Sequence, residues 1–441
     1  MVGIKKISIC WFRRDLRLQD QTAFYHALKS GFPVLPIFIF DTEILNKLEN
    51  KKDSRVTFIY DTIGHLKKEL NALGSDMELH YGNTINIWDM LTQKYQIQAV
   101  YTNHDYESYG AVRDEKVGKL LISKGIAFYS YKDIVIFEKN EVLNISGQPY
   151  TVFTPYKNKL LSIFKDVLES PNEFIKDIDT SLLSNLYKVQ NISDMITLSS
   201  IGFDRSEIPI PSASIDDELI INFEKSRDFP SQDATSKLGV HLRFGTISVR
   251  ELAIKAQLNG KYLDALIWRD FFHMILYHFP HVEHGAFRQP YDHIEWKNNE
   301  EYFEAWCNGI TGYPIVDAGM RQLIATGFMH NRVRMIAGSF LTKHLLIDWR
   351  WGEAWFARHL LDFDLANNNG GWQWVAGCGT DAAPYFRIFS PQAQTLKFDP
   401  DLVYIKKWIP EYGTDLYPTP IVDHAAARSE CLKIYKQALR N

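Results

Sequence analysis

Leu360–Pro391 reads LLDFDLANNNGGWQWVAGCGTDAAPYFRIFSP. Asp362 and Asp364 sit two apart, Asn367, Asn368 and Asn369 run together, Trp372 and Trp374 bracket Gln373, and Arg387 follows a Gly/Ala/Pro turn. Such a stretch is poor core material by itself. Buried amides need hydrogen-bond partners, and glycine costs backbone entropy. A site packed around a planar aromatic ligand accounts for this density better. Asp362 and Asp364 also have the chemistry of an acid–base pair, but a binding role ranks above it.

The patterns around this stretch are helical. From about residue 206 onward, Leu263–Tyr277, Tyr313–Ala325 and Asn331–His344 carry apolar residues at helical spacing, and strand signals are nearly absent. An all-α domain over 206–441 is therefore expected. The N-terminal third behaves differently. Short apolar runs at Lys6–Phe12, Val34–Phe40, Met77–Tyr81, Ala99–Asn103 and Ala127–Ser130 alternate with amphipathic stretches such as Val56–Leu73 and Ile85–Lys94. That rhythm predicts an α/β domain over 1–135 with a doubly wound parallel sheet. No GxGxxG follows the first strand, so the usual dinucleotide signal is missing. Residues 136–205 lose the rhythm and are expected to form a long surface connector, with turn chemistry at Gly147–Tyr156 followed by one short helix.

At 441 residues the chain is too long for one core. Hydrophobic content of 46% and charged content of 23% describe an ordinary globular chain, whereas 11 tryptophans are many and suggest stacking surfaces or redox-active indoles. Cys10, Cys307, Cys378 and Cys431 show no CxxC pairing, so neither zinc nor a disulfide is expected, and no other metal site. The apolar run at MVGIKKISICWF is too short for a signal peptide and no run is long enough to span a membrane, so a cytoplasmic location is expected. A net charge of −4 argues against indiscriminate nucleic-acid binding and leaves room for a local basic patch.

Three further segments carry chemistry. After the first strand comes Trp11–Asp20, WFRRDLRLQD, which taken alone is a charged loop capping the sheet. Thr235, Ser236, Lys237 and Leu238 precede an apolar-periodic run, and hydroxyls with a cation at a helix start suit either an anion or plain N-capping. Asn331 and Met335 lie one helical turn apart and share a face.

Taken together, these segments resemble the photolyase/cryptochrome family over nearly the whole chain, and within it the class I branch that acts on cyclobutane pyrimidine dimers. WFRRDLRLQD is similar to that family's N-terminal signature, with Gln21 in place of the next Asn. The resemblance implies an FAD cofactor. Thr235, Ser236, Lys237 and Leu238 match the segment at its diphosphate, and Leu242–Ser248 continues the match. Phe223 stands where a Tyr often lies near the adenine. Asp362 and Asp364 match the pair holding the ribose and flavin ring. Arg334 matches the ion-pair partner of Asp362, and Trp268, Arg269 and Asn331 border the cofactor. Asn368 matches the position facing flavin N5, where an amide donor favours the reduced, anionic state. Trp372, Trp349 and Trp296 match the chain of indoles that passes electrons to FAD. An antenna chromophore is left open between a deazaflavin, another flavin and none. Folate is disfavoured, because Tyr109-Gly110 replaces the Asn-Glu pair of folate-binding members.

Trp268 and Trp374 match the two indoles that wall the substrate cavity. Asn331 and Met335, within His330-Asn331-Arg332-Val333-Arg334-Met335, resemble the cyclobutane-dimer branch; the (6-4) branch has a second histidine at the Asn331 position. One departure stands out: Ala265 replaces a glutamate that hydrogen-bonds the damaged bases. Asp264 cannot substitute, since the next helical residue points about 100° away. A hydrogen bond to a charged group is worth roughly 1.5–3 kcal/mol, so its loss is expected to cost about ten- to a hundredfold. Arg227, Arg332, Arg387 and Lys397 are the candidate phosphate contacts, and Lys406 and Lys407 read as a solvated helix face. The expected function is light-driven repair of damaged DNA by a monomer. The rival is a cryptochrome-like photoreceptor, favoured by Ala265 and opposed by Asn331, Met335 and Asn368.

Overall fold

The computed structural model describes residues 6–440, and the chain forms two compact units. The first comprises the chain up to Glu138 with Leu160–Ala213 and Leu238–Lys255. The second comprises Lys139–Lys159, Ser214–Lys237 and the chain from Ala256 onward.

The first unit is built on a five-stranded, all-parallel sheet of order β3-β2-β1-β4-β5. Its strands are β1 (Ile7–Phe12), β2 (Val34–Asp41), β3 (Glu78–Gly82), β4 (Ile97–Asn103) and β5 (Ala127–Tyr131). Every residue of β1 and β2 is buried, as expected of strands covered on both faces. Helices such as Ser54–Ala72, Thr84–Lys94 and Ser108–Ser123 supply that cover. The direction of winding reverses between β1 and β4. There the WFRRDLRLQD loop holds its charges in ion pairs: Arg14 with Asp105 at 3.1 Å and with Glu107 at 2.8 Å, and Arg13 with Asp114. Gln21 is buried. It caps the Thr22–Leu28 helix by accepting the Phe24 amide.

The stretch read as a connector is more than a surface link. It contains a long helix, Phe153–Glu169, and Leu160, Phe164, Leu186, Ile201 and Phe203 are buried. Leu186 forms a parallel bridge to Val34, and Ser193 donates its amide to Asp76 at 2.8 Å. Phe153, Tyr156, Leu160 and Phe164 recur at helical spacing, whereas Leu186, Ile201 and Phe203 are scattered among Ser, Asn and Pro with no period to betray them. Residues 238–255, expected with the helical domain, fold with the sheet for an electrostatic reason. Arg250 pairs with Asp20 and with Asp133, both at 2.9 Å, and Arg17 joins Asp133 at 2.9 Å. Burial works to raise the Asp133 carboxyl, but the two guanidinium groups hold it below the usual range. All four cysteines are buried and unpaired. Among the described residues no helix is long and apolar enough to cross a membrane.

In the second unit, described residues form helices around a core that includes Trp306, Val316, Leu323, Phe340, Trp372 and Tyr404. His330 caps the Asn331–Lys343 helix, its Nδ1 accepting the Arg332 amide at 3.2 Å. Burial holds this imidazole down at about 4. An unfolded histidine titrates near 6.5, so as pH falls the unfolded chain gains the proton first. The neutral cap's contribution is therefore complete above about 6.5 and is lost progressively toward 4. Between about pH 7.5 and about pH 5 the loss should reach about 2 kcal/mol. Urea denaturation at the two pH values should show wild type losing that much more stability than His330→Asn, which retains a cap acceptor; equal losses would refute the assignment.

Candidate functional site

The Leu365–Ala376 helix organises the site. Asp364 caps it, accepting the Asn367 backbone amide at 3.2 Å and the Asn367 side chain at 2.8 Å. The helix then buries amides instead of aliphatics. Asn369 donates to the Val282 carbonyl at 2.9 Å. Gln373 donates to Val282 and Gly285 and accepts the Phe287 amide at 2.8 Å. Half of the amide-rich signature is thus spent folding the Val282–Phe287 loop onto the helix. Two glycines let neighbouring helices approach. A Cβ at Gly352 would lie 2.1 Å from the Trp372 ring, and one at Gly370 would lie 2.2 Å from Phe272.

Away from that loop, the acids and the remaining amide meet other partners. One Arg334 nitrogen donates to both Asp362 oxygens, at 3.1 and 2.9 Å, while its Nε donates to the Met329 carbonyl. The Asp364 carboxylate lies 3.4 Å from the His273 ring. Asn368 differs from expectation. Its Nδ2 donates to the Glu353 carboxyl at 2.8 Å and to the Glu353 carbonyl at 3.1 Å. Both N–H groups are committed, so the group left to meet a ligand is the Oδ1 acceptor, not the expected donor. Burial raises the Glu353 carboxyl, against the lowering effect of the Asn368 bond. Glu353 carried no signal in the sequence, because the 15 residues separating it from Asn368 follow no local period.

The expected diphosphate segment also differs in detail. Thr235, Ser236 and Lys237 are half-buried and precede the helix, which starts only at Gly239 and runs six residues. Leu238 occupies its N-cap without a side-chain bond, so neither Thr235 nor Ser236 caps it, and so short a helix adds little dipole. Ser236 bonds Tyr262, and Lys237 pairs with Asp233 at 2.5 Å. Phe223 packs edge-on against Tyr262 at 5.0 Å. Arg269 is buried and approaches Asp270 at 3.9 Å. Trp372 and Trp349 are buried, and Trp296 is half-buried against the same core. Trp306, which no motif in the sequence singles out, lies edge-on to Trp372 at 6.1 Å and donates to the Ala337 carbonyl.

Trp268 and Trp374 are half-buried, Asn331 and Ala265 are exposed, and the Asn331 amide approaches the Met335 sulfur at 3.9 Å. Of the candidate DNA contacts, Arg387 and Lys397 are exposed. Arg332 is occupied within the protein. It pairs with Asp228 at 2.8 Å and lies over the Phe398 ring at 4.3 Å, which leaves it poorly placed for a phosphate. Arg227 closes the Asp217–Ser226 helix and lies over Phe223 at 5.5 Å. In the first unit, the Tyr109 hydroxyl donates to Asp41 at 2.5 Å, and a Cβ at Gly110 would lie 2.4 Å from the Asp105 carboxyl carbon. A glutamate at position 110 would collide with it.

A parallel-sheet unit and a helical unit with carboxylates, amides and indoles gathered on one helix define a two-part flavoprotein. Residues 262–415 match the family model for the FAD binding domain of DNA photolyase, and residues 8–173 match the DNA photolyase model. A deoxyribodipyrimidine photo-lyase of Synechococcus is 36% identical over 97% of this chain and 96% of its own. A class III photolyase from Agrobacterium tumefaciens superposes with a TM-score of 0.86 at 31% identity, covering 99% of this chain and 98% of that one. An archaeal photolyase from Sulfolobus tokodaii with two FAD molecules gives 0.82 at 33% identity, covering 98% of this chain and 99% of that one. The chain belongs to the DNA photolyase family.

The donor set fits FAD. Half-buried hydroxyls and a lysine suit phosphates, carboxylates suit sugar hydroxyls and ring N–H groups, and Asn368 offers an acceptor. Among the described residues no cluster suits a metal. Because the helix packing leaves no space beside Trp372, Gly352→Ala should destabilise the protein by about 1–3 kcal/mol. Urea denaturation checks this, and unchanged stability would mean that the Trp372 ring yields freely.

Proposed function

We propose that the chain repairs cyclobutane pyrimidine dimers in DNA under light, with the dimer turned out of the duplex into the helical unit. The observation that carries this is the FAD-binding domain of a DNA photolyase together with the indoles Trp268 and Trp374 and the Asn331–Met335 face. Photolyases are among the enzymes that flip bases, a step costing a few kcal/mol and less for a damaged base. Reduced FAD, when held by these residues, would supply the one-electron chemistry that opens the dimer.

The protein's own residues hold and tune. Thr235, Ser236 and Lys237 are assigned to the diphosphate, Phe223 to the adenine, Asp362 and Asp364 to the ribose and flavin ring. Arg269 and Leu238 complete the border of the cofactor. Arg334 orients Asp362 by donating to both of its carboxylate oxygens. Asn368 turns its carbonyl to the flavin because Glu353 takes both its N–H groups. Trp268 and Trp374 offer flat faces to the lesion. Arg387 and Lys397 supply exposed charge for phosphates, with Arg227 beside them in role; such contacts position without reading sequence. The buried, unpaired cysteines support a reducing, cytoplasmic setting, and one chain is taken as the working unit.

Illuminating the reduced, FAD-loaded protein with dimer-containing DNA and counting restored pyrimidines tests the reading. Ala265→Glu adds a carboxyl group on an exposed position three residues before Trp268, one turn along the same face. It should raise repair or lesion affinity by about ten- to a hundredfold. If neither protein restores any base, a photoreceptor without repair activity replaces the enzyme.

Trp372, Trp349 and Trp296 are assigned to electron entry, supported by their burial in one core. Trp372→Phe should abolish light-driven reduction of the oxidised protein, read as persistence of its visible absorption band. Repair by chemically reduced protein should survive. A variant that bleaches as fast as wild type would remove Trp372 from the chain.

A further inference from the structure

The stretch read as a connector supplies a ring to the substrate side. Phe153, 7% exposed, lies face to face with Trp268, ring centroids 3.8 Å apart and planes 8° from parallel. Phe271 meets both rings edge-on, at 5.9 Å from Phe153 and 5.6 Å from Trp268. The backbone carrying Phe153 is itself fastened. The Phe153 amide donates to the Asp381 carboxylate at 3.1 Å, and the buried Thr380 hydroxyl donates to the Thr151 carbonyl at 2.6 Å. One turn along the Phe153–Glu169 helix, Lys157 pairs with Asp264 at 3.2 Å, and Tyr156 packs on Phe271 at 5.2 Å. Asp381 adopts a left-handed backbone, φ 43°, so the turn that follows the Trp374 helix is held in one shape by these bonds.

We propose that Phe153 is a positioning residue for lesion recognition: it covers one face of the Trp268 indole, sets its plane, and ties it to the Gly379–Asp381 turn behind Trp374. The inference rests on the reading that Trp268 and Trp374 receive the dimer. An indole stacked on one face against an anchored ring cannot swing without losing that contact, so its other face keeps a fixed orientation. Stacked pairs of this kind are expected to alter affinity by about three- to tenfold.

The test uses the full, FAD-loaded protein with dimer-containing and undamaged duplexes. Phe153→Leu should weaken dimer binding about three- to tenfold while leaving FAD content and undamaged-DNA affinity unchanged. Phe153→Tyr, which keeps the stacked ring, should restore it. Should Phe153→Leu fail to fold, Thr380→Val, which removes the tie to Thr151, reads the same quantity and should shift it the same way. The proposal is overturned if the leucine variant binds the dimer as wild type does, or if it loses FAD or undamaged-DNA affinity to the same extent, since either result makes Phe153 ordinary packing. Trp268→Ala in the same assay separates the two readings. Preserved discrimination there sinks the substrate-pocket assignment itself, whereas lost discrimination there with an intact Phe153→Leu variant sinks only the positioning role.

Discussion

The helical unit depends on the amide bonds that Asn369 and Gln373 make to the Val282–Phe287 loop. An unpaired buried amide costs about 1–3 kcal/mol, so these side chains are tolerable inside only because each finds a carbonyl or N–H. The arrangement sets everything around it. With one face of the Leu365–Ala376 helix bonded to that loop, Asp364 and Asn368 present to other neighbours, His273 and Glu353. Glycine at 352 and 370 lets aromatic rings press against the same helix. The helix is thus fixed by amide bonds on one side and by close ring packing at its glycines.

The site combines family features with local choices. The Asn368 side chain is oriented by Glu353, whose buried carboxyl needs a donor as much as the amide needs an acceptor. Arg332 is satisfied by Asp228 and the face of Phe398, whereas Arg387 and Lys397 remain exposed. Ala265 leaves an exposed position on the face that carries Trp268, and its neighbour Asp264 is turned to Lys157.

In the first unit the governing constraint is charge. Arg17, Arg250, Asp20 and Asp133 are all buried, and removing one partner from such a group strands the others, at several kcal/mol. Their mutual pairing recruits residues 238–255 to the sheet unit, although they lie in the midst of helical sequence.

The parallel sheet and the helical second half were legible from periodicity, because strands covered on both faces must be continuously apolar and packed helices must carry an apolar stripe. The flavin-type site was legible in part, since amides, carboxylates and indoles rarely crowd a stretch that is merely core. Which amide does what was not. Asn368 and Asn369 are adjacent in sequence, and only the helix's rotation sends one to Glu353 and the other to Val282. The same holds for Phe153 and Trp268, which are 115 residues apart and stack, and for Arg250 and Asp20. The local chain determined which residues are helical, buried or polar. The tertiary structure alone decided which polar groups meet, because a hydrogen bond or a stacked ring depends on distance in space and leaves no period in sequence.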